Sequence, residues 1–229
     1  MNPLPRPSID RPIIALAALL LAGLTAAPLA LATPQSWKDD IAQFEKTDAA
    51  RPPPQGAVLF VGSSSIRLWT TLAKDFPGIA TINRGFGGSE LADSVFYADR
   101  IVLPYHPRLV VLYAGDNDLW AGKTPEQVLT DFRAFRTKVL AALPETRIIY
   151  LSVKESPSRT KVRAAVRTTN RLIAADCAAN PRCEFVDVDT PLLAPGGALR
   201  PELFRDDQLH LSPAGYAIWT RVLAPHLEP

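Results

Sequence analysis

The sequence predicts an α/β fold in which a five-stranded parallel sheet lies between two layers of helices. Two observations lead to this prediction. Short apolar segments alternate along the chain with longer segments of helical periodicity, and the apolar segments are almost continuously hydrophobic. Such runs are typical of parallel strands buried on both faces, because the helices of the crossover connections cover them. With right-handed crossovers, the chain then forms three layers: helix, sheet and helix.

Five segments are predicted as strands. The third, LVVLY, is the clearest because every residue in it is hydrophobic. The first and fourth, AVLFV and RIIYLS, are also rich in apolar residues, whereas the second is weaker. In chain order, the strands are predicted at 57–61, 79–83, 109–113, 147–152 and 184–188.

Three of the predicted helices precede the clearest strand. In the first, Trp37, Ile41 and Phe44 recur at helical spacing with charged residues between them, and the prolines at 52–54 end the helix. The second carries several apolar packing residues, among them Trp69. These helices are predicted at 34–50, 65–75 and 90–101.

Three more helices are predicted after that strand. The first of them has Thr124 as its N-cap and Pro125 at its first position, and the last begins in the same way with Ser212 and Pro213. The helix between them is rich in alanine and arginine. These helices are predicted at 125–143, 159–179 and 212–227.

The composition indicates a single globular domain behind a leader. The chain has 229 residues, of which 47% are hydrophobic, and this is enough for one full core. Charged residues make up 21%, the formal net charge is +2, and there is no run of like charges. The chain therefore lacks the basic field of a nucleic-acid-binding protein, and no nucleic-acid partner is expected.

Residues 1–32 are predicted to be a secretory signal peptide, followed by one domain at 33–229. Arg6 and Arg11 supply positive charge, an apolar stretch follows at 13–24, and Ala-Leu-Ala at 30–32 fits a cleavage site. The alternative is a retained membrane anchor, but the apolar stretch is shorter than the roughly 20 residues that span a bilayer. We therefore expect a periplasmic or secreted protein without stable membrane insertion after cleavage.

Cys177 and Cys183 are the only cysteines in the sequence, and they flank a predicted turn after a helix. Export would permit a disulfide between them, and two free thiols are the alternative. No His or Asp cluster near them has the spacing of a metal site, so no metal is expected.

Polar segments follow the predicted strands. Because parallel strands end at the same edge of a sheet, and ligands bind beyond their carboxyl ends, these segments are expected to converge on one rim. They lie at 62–64, 83–88, 115–118, 154–156 and 207–210.

The serines at 63–65 stand where the first strand turns into a helix. A hydroxyl at that position lies near helix N–H groups, which favour developing negative charge, so one of these serines is a candidate nucleophile. Serine is also a common N-cap, and the position alone does not choose among the three.

Asp207 and His210 are three residues apart in a loop-like segment. In a tight turn, the carboxylate can accept a hydrogen bond from one ring nitrogen, which leaves the other free to take a serine proton. A surface Asp and His before a helix cap is the alternative. Asp206 is adjacent, but the three-residue spacing favours Asp207.

The middle segments contain candidate donors for an oxyanion hole. Glycine-rich backbone at 85–88 can bring N–H groups close to a substrate, and Asn117 adds a side-chain amide donor. The alternatives are a tight turn for the glycines and an Asx turn for the asparagine.

Taken together, these segments resemble the SGNH/GDSL hydrolase family. The four blocks of that family occur in order, as GSS at 62–64, N-x-G-x-G-G at 83–88, G-x-N-D at 115–118 and D-x-x-H at 207–210. The resemblance implies a flavodoxin-like three-layer sandwich that needs no cofactor. It implies that Ser64 is the nucleophile, His210 the general base and Asp207 its orienting acid. The oxyanion hole would then consist of the Ser64 and Gly88 backbone amides and the Asn117 side chain.

One position departs from the family pattern, since Ser63 stands where the family usually has Asp. That aspartate is not a member of the triad, so the chemistry is expected to survive the change. The change weakens the match of the first block taken alone.

The expected activity is hydrolysis of short-chain, especially acetyl, esters of small molecules or carbohydrates. The block layout is similar to that of platelet-activating-factor acetylhydrolase-like esterases, and the sequence has no separate apolar lid. Phe86 and Trp120 lie near the predicted rim and are candidates for the substrate pocket.

Three other functions stay open. A lysophospholipase or thioesterase of the same family would cleave long acyl chains faster than short ones. A non-catalytic carbohydrate-binding protein could use the same scaffold. A flavodoxin-like nucleotide-binding module fits the fold class, but the sequence lacks a P-loop and the G-x-G-x-x-G motif.

Overall fold

The computed structural model describes Met1 and residues 34–228. The predicted signal peptide at 1–32 and its cleavage site lie outside the described residues, apart from Met1, so both stay predictions. Within the described residues, no helix is long and apolar enough to cross a membrane.

The strands form one five-stranded sheet in which every neighbouring pair is parallel. The spatial order is β2-β1-β3-β4-β5, so the chain starts near the middle of the sheet and winds outward in both directions. The predicted α/β/α fold with a flavodoxin-like order is confirmed. The strands are β1 (Val58–Gly62), β2 (Thr81–Gly85), β3 (Leu109–Tyr113), β4 (Arg147–Leu151) and β5 (Cys183–Val186).

The α-helices within residues 34–228 connect these strands or flank the sheet. They are α1 (Lys38–Ala50), α2 (Ser64–Arg67), α3 (Leu72–Asp75), α4 (Leu91–Ile101), α5 (Asp116–Trp120), α6 (Pro125–Ala142), α7 (Arg163–Ala178) and α8 (Pro213–Leu223). Short 3-10 helices lie at Pro34–Trp37, Leu103–Tyr105, Pro157–Val162, Thr190–Leu192, Pro201–Leu203 and Ala224–His226.

The sheet separates two apolar cores because successive strand residues point to opposite faces. Leu59 and Val110 belong to the core that contains residues of α1, α4, α6 and α7. Phe60 and Val111 belong to the other core, which contains residues of α2, α3 and α8. Both faces of the sheet are therefore covered, which explains why β1, β3 and β4 are almost continuously apolar.

The continuous helix predicted at 65–75 is wrong, because the chain forms two short helices, α2 and α3. Between them, Trp69 Nε1 and Thr71 Oγ1 each donate to Asp75 Oδ2 over 2.6 Å. These bonds fold the segment back on itself and let Trp69 pack against Phe60, with 5.8 Å between ring centroids. Local side-chain bonding and burial therefore outweigh helical continuity.

The predicted helix at 159–179 also begins differently. Its first turns are the 3-10 segment Pro157–Val162, in which Arg159 has non-helical angles (φ −122°, ψ 35°), and α7 starts only at Arg163. At the other end of α7, Cys177 is joined to Cys183 by a disulfide with a Cα–Cα distance of 4.8 Å. This bridge ties the end of α7 to the start of β5.

Candidate active site

The turn from β1 into α2 presents three serines at the carboxyl edge of the sheet. Gly62 ends β1 with φ +131°, and a Cβ at this position would lie 1.9 Å from the carbonyl oxygen of Tyr113. Only glycine fits there, and the chain can turn at once into α2. Ser64 is the first residue of α2 and is 8% exposed, whereas Ser63 and Ser65 are buried almost completely.

His210 lies between Ser64 and Asp207. Its Nε2 is 2.8 Å from Ser64 Oγ, and its Nδ1 is 2.6 Å from Asp207 Oδ2. The structure therefore brings a hydroxyl, an imidazole and a carboxylate from the two ends of the fold into one hydrogen-bonded row. Asp206 is exposed, and it is Asp207 that is paired with the ring.

A tight turn holds Asp207 against His210. Gln208, between them in the chain, has a left-handed backbone with φ +54°. The second carboxylate oxygen of Asp207 accepts the backbone N–H groups of Leu209 and His210, each at 2.9 Å. The turn thus fixes the carboxylate independently of the imidazole.

The hydrogen bonds also keep Asp207 ionised. Burial by itself would raise the pKa of Asp207, but the bonds from the His210 ring and from two backbone amides outweigh it. Together with the charge of a protonated His210, they lower the pKa to about 2. A carboxylate that stays ionised can accept the Nδ1 proton, and this leaves Nε2 as an acceptor for the Ser64 proton.

Asn117, the second residue of α5, lies beside the serines. Its Nδ2 donates to Ser63 Oγ at 2.8 Å and to the carbonyl oxygen of Ser89 at 2.9 Å, and its Oδ1 accepts from Arg159 Nη2 at 2.9 Å. The amide is therefore held on all sides. The residue that replaces the family's aspartate, Ser63, accepts a hydrogen bond from this amide.

The glycine-rich loop after β2 approaches the same edge. The Trp37 indole donates to Gly87 O at 2.8 Å, and Ser89 Oγ donates to Phe86 O at 2.8 Å, so the loop is tied at two points. Gly88 has φ +79°. Among the described residues, neither Gly88 N–H nor Ser64 N–H donates to another residue, and both remain available to a ligand.

The prediction that Phe86 lines a substrate pocket is wrong. Its side chain is 0% exposed and packs edge-on against Trp37 and Tyr97, with centroid distances of 6.0 Å to each ring. Although its backbone lies at the rim, its side chain points into the core that contains residues of α1 and α4. The position of the Phe86 backbone therefore does not indicate where its side chain lies.

Trp120, the other candidate for the substrate pocket, is the last residue of α5. Its side chain is 49% exposed, and the Arg159 guanidinium lies 5.6 Å from the ring centroid. Trp120 is thus a surface aromatic held by a cation–π contact near Asn117.

Sequence reasoning did not find the charged cluster behind Asn117. Lys154 Nζ is 3.3 Å from Asp116 Oδ2, and Arg159 Nη1 is 3.6 Å from the same oxygen. Burial alone would raise the pKa of Asp116, but the charges of Lys154 and Arg159 outweigh it and lower the pKa. Lys154 was noticed as a polar residue after a strand, but Arg159 carried no local signal because its partners are about 40 residues away.

No group of three or more His, Cys, Asp or Glu side chains that could hold a metal ion occurs in the described part of the chain. The row Ser64–His210–Asp207 has the groups that a nucleophilic acyl transfer needs: a hydroxyl, an acceptor for its proton and an anion that stabilises the resulting imidazolium. The Asn117 amide lies beside this row, bonded to Ser63, the residue before Ser64.

A sequence model of the GDSL-like lipase/acylhydrolase family matches residues 47–218, which is well over half of the chain. Among curated protein sequences, none matches this chain.

Several solved structures have the same fold. A candidate platelet activating factor from Streptococcus pneumoniae aligns with a TM-score of 0.74 and 22% identity, over 85% of this chain and 94% of that one. A GDSL-like lipase from Bacteroides thetaiotaomicron aligns with a TM-score of 0.69 and 23% identity, over 82% and 97%. A catalytic mutant of an acetylxylan esterase from Geobacillus stearothermophilus aligns with a TM-score of 0.61 and 18% identity, over 76% and 95%. At these identities, the likeness shows the fold alone.

Proposed function

Because the chain belongs to the GDSL-like lipase/acylhydrolase family, we propose that it is an exported serine esterase that hydrolyses short-chain carboxylic esters, acetyl esters in particular, through an acyl-enzyme. The observation that carries the proposal is the hydrogen-bonded row in which His210 lies 2.8 Å from Ser64 Oγ and 2.6 Å from Asp207. This row provides a nucleophile and a base already within proton-transfer distance.

In the proposed reaction, Ser64 Oγ attacks the ester carbonyl carbon while His210 Nε2 takes its proton. Asp207 accepts the Nδ1 hydrogen bond and stabilises the imidazolium. The oxyanion is held by the Ser64 and Gly88 amides and by the Asn117 NH₂ group, which shares its hydrogen bond to Ser63 Oγ with the oxyanion. His210 then returns its proton to the leaving alcohol, which leaves an acyl-enzyme.

Deacylation repeats these steps with water as the nucleophile. His210 takes a proton from water as the water attacks the acyl carbon, and then gives a proton to Ser64 Oγ as the carboxylic acid leaves. Every proton in this cycle passes through His210, and the reaction uses only groups of this chain and water.

Two observations favour a small substrate on the outside of the cell. Trp120 is the exposed aromatic near Asn117, and a flat ring at that place is suited to stacking on a sugar. The disulfide between Cys177 and Cys183 fits an oxidising compartment, in agreement with the signal peptide predicted at 1–32. Because one structural neighbour is named as an acetylxylan esterase, acetylated xylan is a sensible polymer to test.

The test is a panel of esters assayed with the wild type and with Ser64→Ala. The panel contains p-nitrophenyl esters from acetate to palmitate, acetylated xylo-oligosaccharides, a lysophospholipid and an acyl thioester. We expect the highest kcat/KM for acetyl or butyryl esters and no turnover by Ser64→Ala. A kcat/KM that rises with chain length would support a lysophospholipase or thioesterase instead, and binding of sugars without turnover would support a carbohydrate-binding protein.

A further inference from the structure

We propose that Arg159 is a positioning residue that sets the orientation of the Asn117 amide, so that its NH₂ group rather than its oxygen faces the reacting centre. This inference rests on the proposed esterase function, in which Asn117 donates to the oxyanion. It assigns a role to a residue that lies outside the four sequence blocks.

The chemistry of the two side chains makes the orientation unambiguous. A guanidinium has only donors, so the Asn117 atom that it faces, at 2.9 Å from Nη2, must be the oxygen. The NH₂ group is then directed to the opposite side, where Ser63 Oγ and Ser89 O accept its two hydrogens. If the amide were turned over, its NH₂ would face the guanidinium and its oxygen would face the Ser89 carbonyl, and neither pair could form a hydrogen bond.

Arg159 is itself held in place. Its side chain is only 13% exposed, and its Nη1 lies 3.6 Å from the carboxylate of Asp116, the residue before Asn117. The guanidinium also lies over the ring of Trp120. It is therefore fixed against both ends of α5, and the long side chain loses little further freedom when it bonds to Asn117.

The backbone of Arg159 is tied to the other half of the candidate site. The preceding residue, Ser158, donates from both its backbone N–H (3.1 Å) and its Oγ (3.0 Å) to the carbonyl oxygen of Gln208. Gln208 is the left-handed residue of the turn between Asp207 and His210. Ser158 thus contacts the turn that bears His210, and Arg159, the next residue, contacts the amide of Asn117.

The test is a double-mutant cycle between Arg159→Met and Asn117→Ala with p-nitrophenyl acetate. Since an oxyanion donor acts in the transition state, Arg159→Met should lower kcat about tenfold and change KM little. The Ser89 carbonyl still disfavours the turned-over amide, so the loss should be smaller than that of Asn117→Ala. In the Asn117→Ala background, Arg159→Met should lower kcat by less than about twofold, because its effect passes through Asn117.

Two further variants separate positioning from stability. Arg159→Lys keeps the positive charge beside Asp116 but loses the planar fork, so it should retain the melting temperature of the wild type and recover only part of kcat. Arg171→Met is the matched control, since Arg171 lies on α7 and, among the described residues, its guanidinium donates only to the hydroxyl of Thr168. It should leave kcat and KM unchanged.

Each result has a distinct meaning. Equal losses from Arg159→Met in both backgrounds, or full activity in the Arg159→Met enzyme, would overturn the positioning role while Ser64→Ala remained inactive. Ester hydrolysis by Ser64→Ala at the wild-type rate would instead overturn the proposed function on which the role rests. A changed pH profile in Arg159→Met would also contradict the inference, because the His210–Asp207 pair would then be the part affected.

Discussion

The two halves of the candidate site are held in different ways. The base half is local: Asp207, three residues from His210, bonds the ring and two backbone amides of the same turn. The oxyanion half is assembled from distant parts of the chain, because Asn117 bonds to Ser63, Ser89 and Arg159, which are 54, 28 and 42 residues away. The base half is partly exposed, whereas the groups around Asn117 are largely buried.

This difference shows which part of a site a short motif can specify. In a turn with a carboxylate and an imidazole three residues apart, local hydrogen bonds fix the geometry of the pair, so the geometry does not depend on the rest of the fold. The amide of Asn117 has a defined direction only because the sheet brings β1, β3 and the segment after β4 to one edge. We therefore expect single substitutions within the turn at 207–210 to abolish the function of the base half. Substitutions at several distant residues should each impair the oxyanion half.

The largest effect is expected in the base half. Asp207→Asn should lower kcat about 10³-fold or more, because a neutral amide cannot stabilise the imidazolium and can favour the wrong tautomer of His210. Asp206→Asn is the control and should leave kcat unchanged, since Asp206 is exposed and it is Asp207 that contacts the ring. Equal losses in the two variants, measured by steady-state kinetics, would show that the carboxylate assignment is wrong.

A smaller effect is expected from the oxyanion half. Asn117→Ala removes one of three expected donors and should lower kcat about 10²- to 10³-fold with little change in KM. Asn170→Ala is the comparison, because in the described part of the chain the Asn170 amide bonds only to the backbone of Val153, two residues after β4. It should lower the melting temperature and leave kcat close to that of the wild type. A large rise in KM in Asn117→Ala would mean that Asn117 binds the ground state instead.

The pH dependence separates the two members of the base half. The activity should fall in acid, because His210 must be neutral to accept the Ser64 proton. The pKa of Asp207 is lowered to about 2, so this carboxylate should add no second acid limb above about pH 3. A kcat/KM that stays flat from pH 7 to about 4 would contradict a histidine base.

The smallest effect concerns the stability of the fold at the buried carboxyl group of Asp189. Burial raises the pKa of Asp189 from 3.8 to about 7, although the Glu155 N–H donates to it at 2.6 Å. The folded state then holds this proton more tightly than the unfolded state does, so the stabilisation from Asp189 is present below about pH 4 and is lost as the pH rises to about 7.

Asp189→Asn should therefore raise the melting temperature at pH 8 and have much less effect at pH 4. The size of the shift would be about 2–4 °C for each kcal/mol of unfolding free energy gained. Thermal unfolding followed by circular dichroism at both pH values is the measurement, with Asp206→Asn as the exposed control. A melting temperature that drops at pH 8 would show that the ionised Asp189 carboxylate stabilises the fold.

The sequence predicted the fold class because strand burial leaves a direct mark, an apolar run, in β1, β3 and β4. It did not predict α5, since the polar run Asp116-Asn117-Asp118 after a strand also has the composition of a turn. It placed Phe86 at the rim correctly by position, but the direction of the side chain depends on how the loop after β2 leaves the sheet. That direction follows from tertiary packing and leaves no local pattern.

The sequence predicts those parts of the candidate site in which the interacting residues are close together in the chain. Asp207 and His210 could be paired from their spacing, whereas the contact of His210 with Ser64, 146 residues away, needed the resemblance to a family or the fold itself. Arg159 lies at the start of the predicted Ala- and Arg-rich helix at 159–179, and nothing in that pattern separates it from Arg171. In the structure Arg159 has a non-helical backbone instead, and its guanidinium donates to Asn117 Oδ1.

The most direct measurement is the site of reaction with a fluorophosphonate, which phosphonylates a serine activated by a histidine and releases fluoride. Peptide mass spectrometry should find the label on Ser64, much slower labelling in His210→Ala and none in Ser64→Ala. Two results would contradict the account of Ser64 as a nucleophile that His210 activates. One is a label on Ser63 or Ser65 instead of Ser64, and the other is labelling of Ser64 in His210→Ala at the wild-type rate.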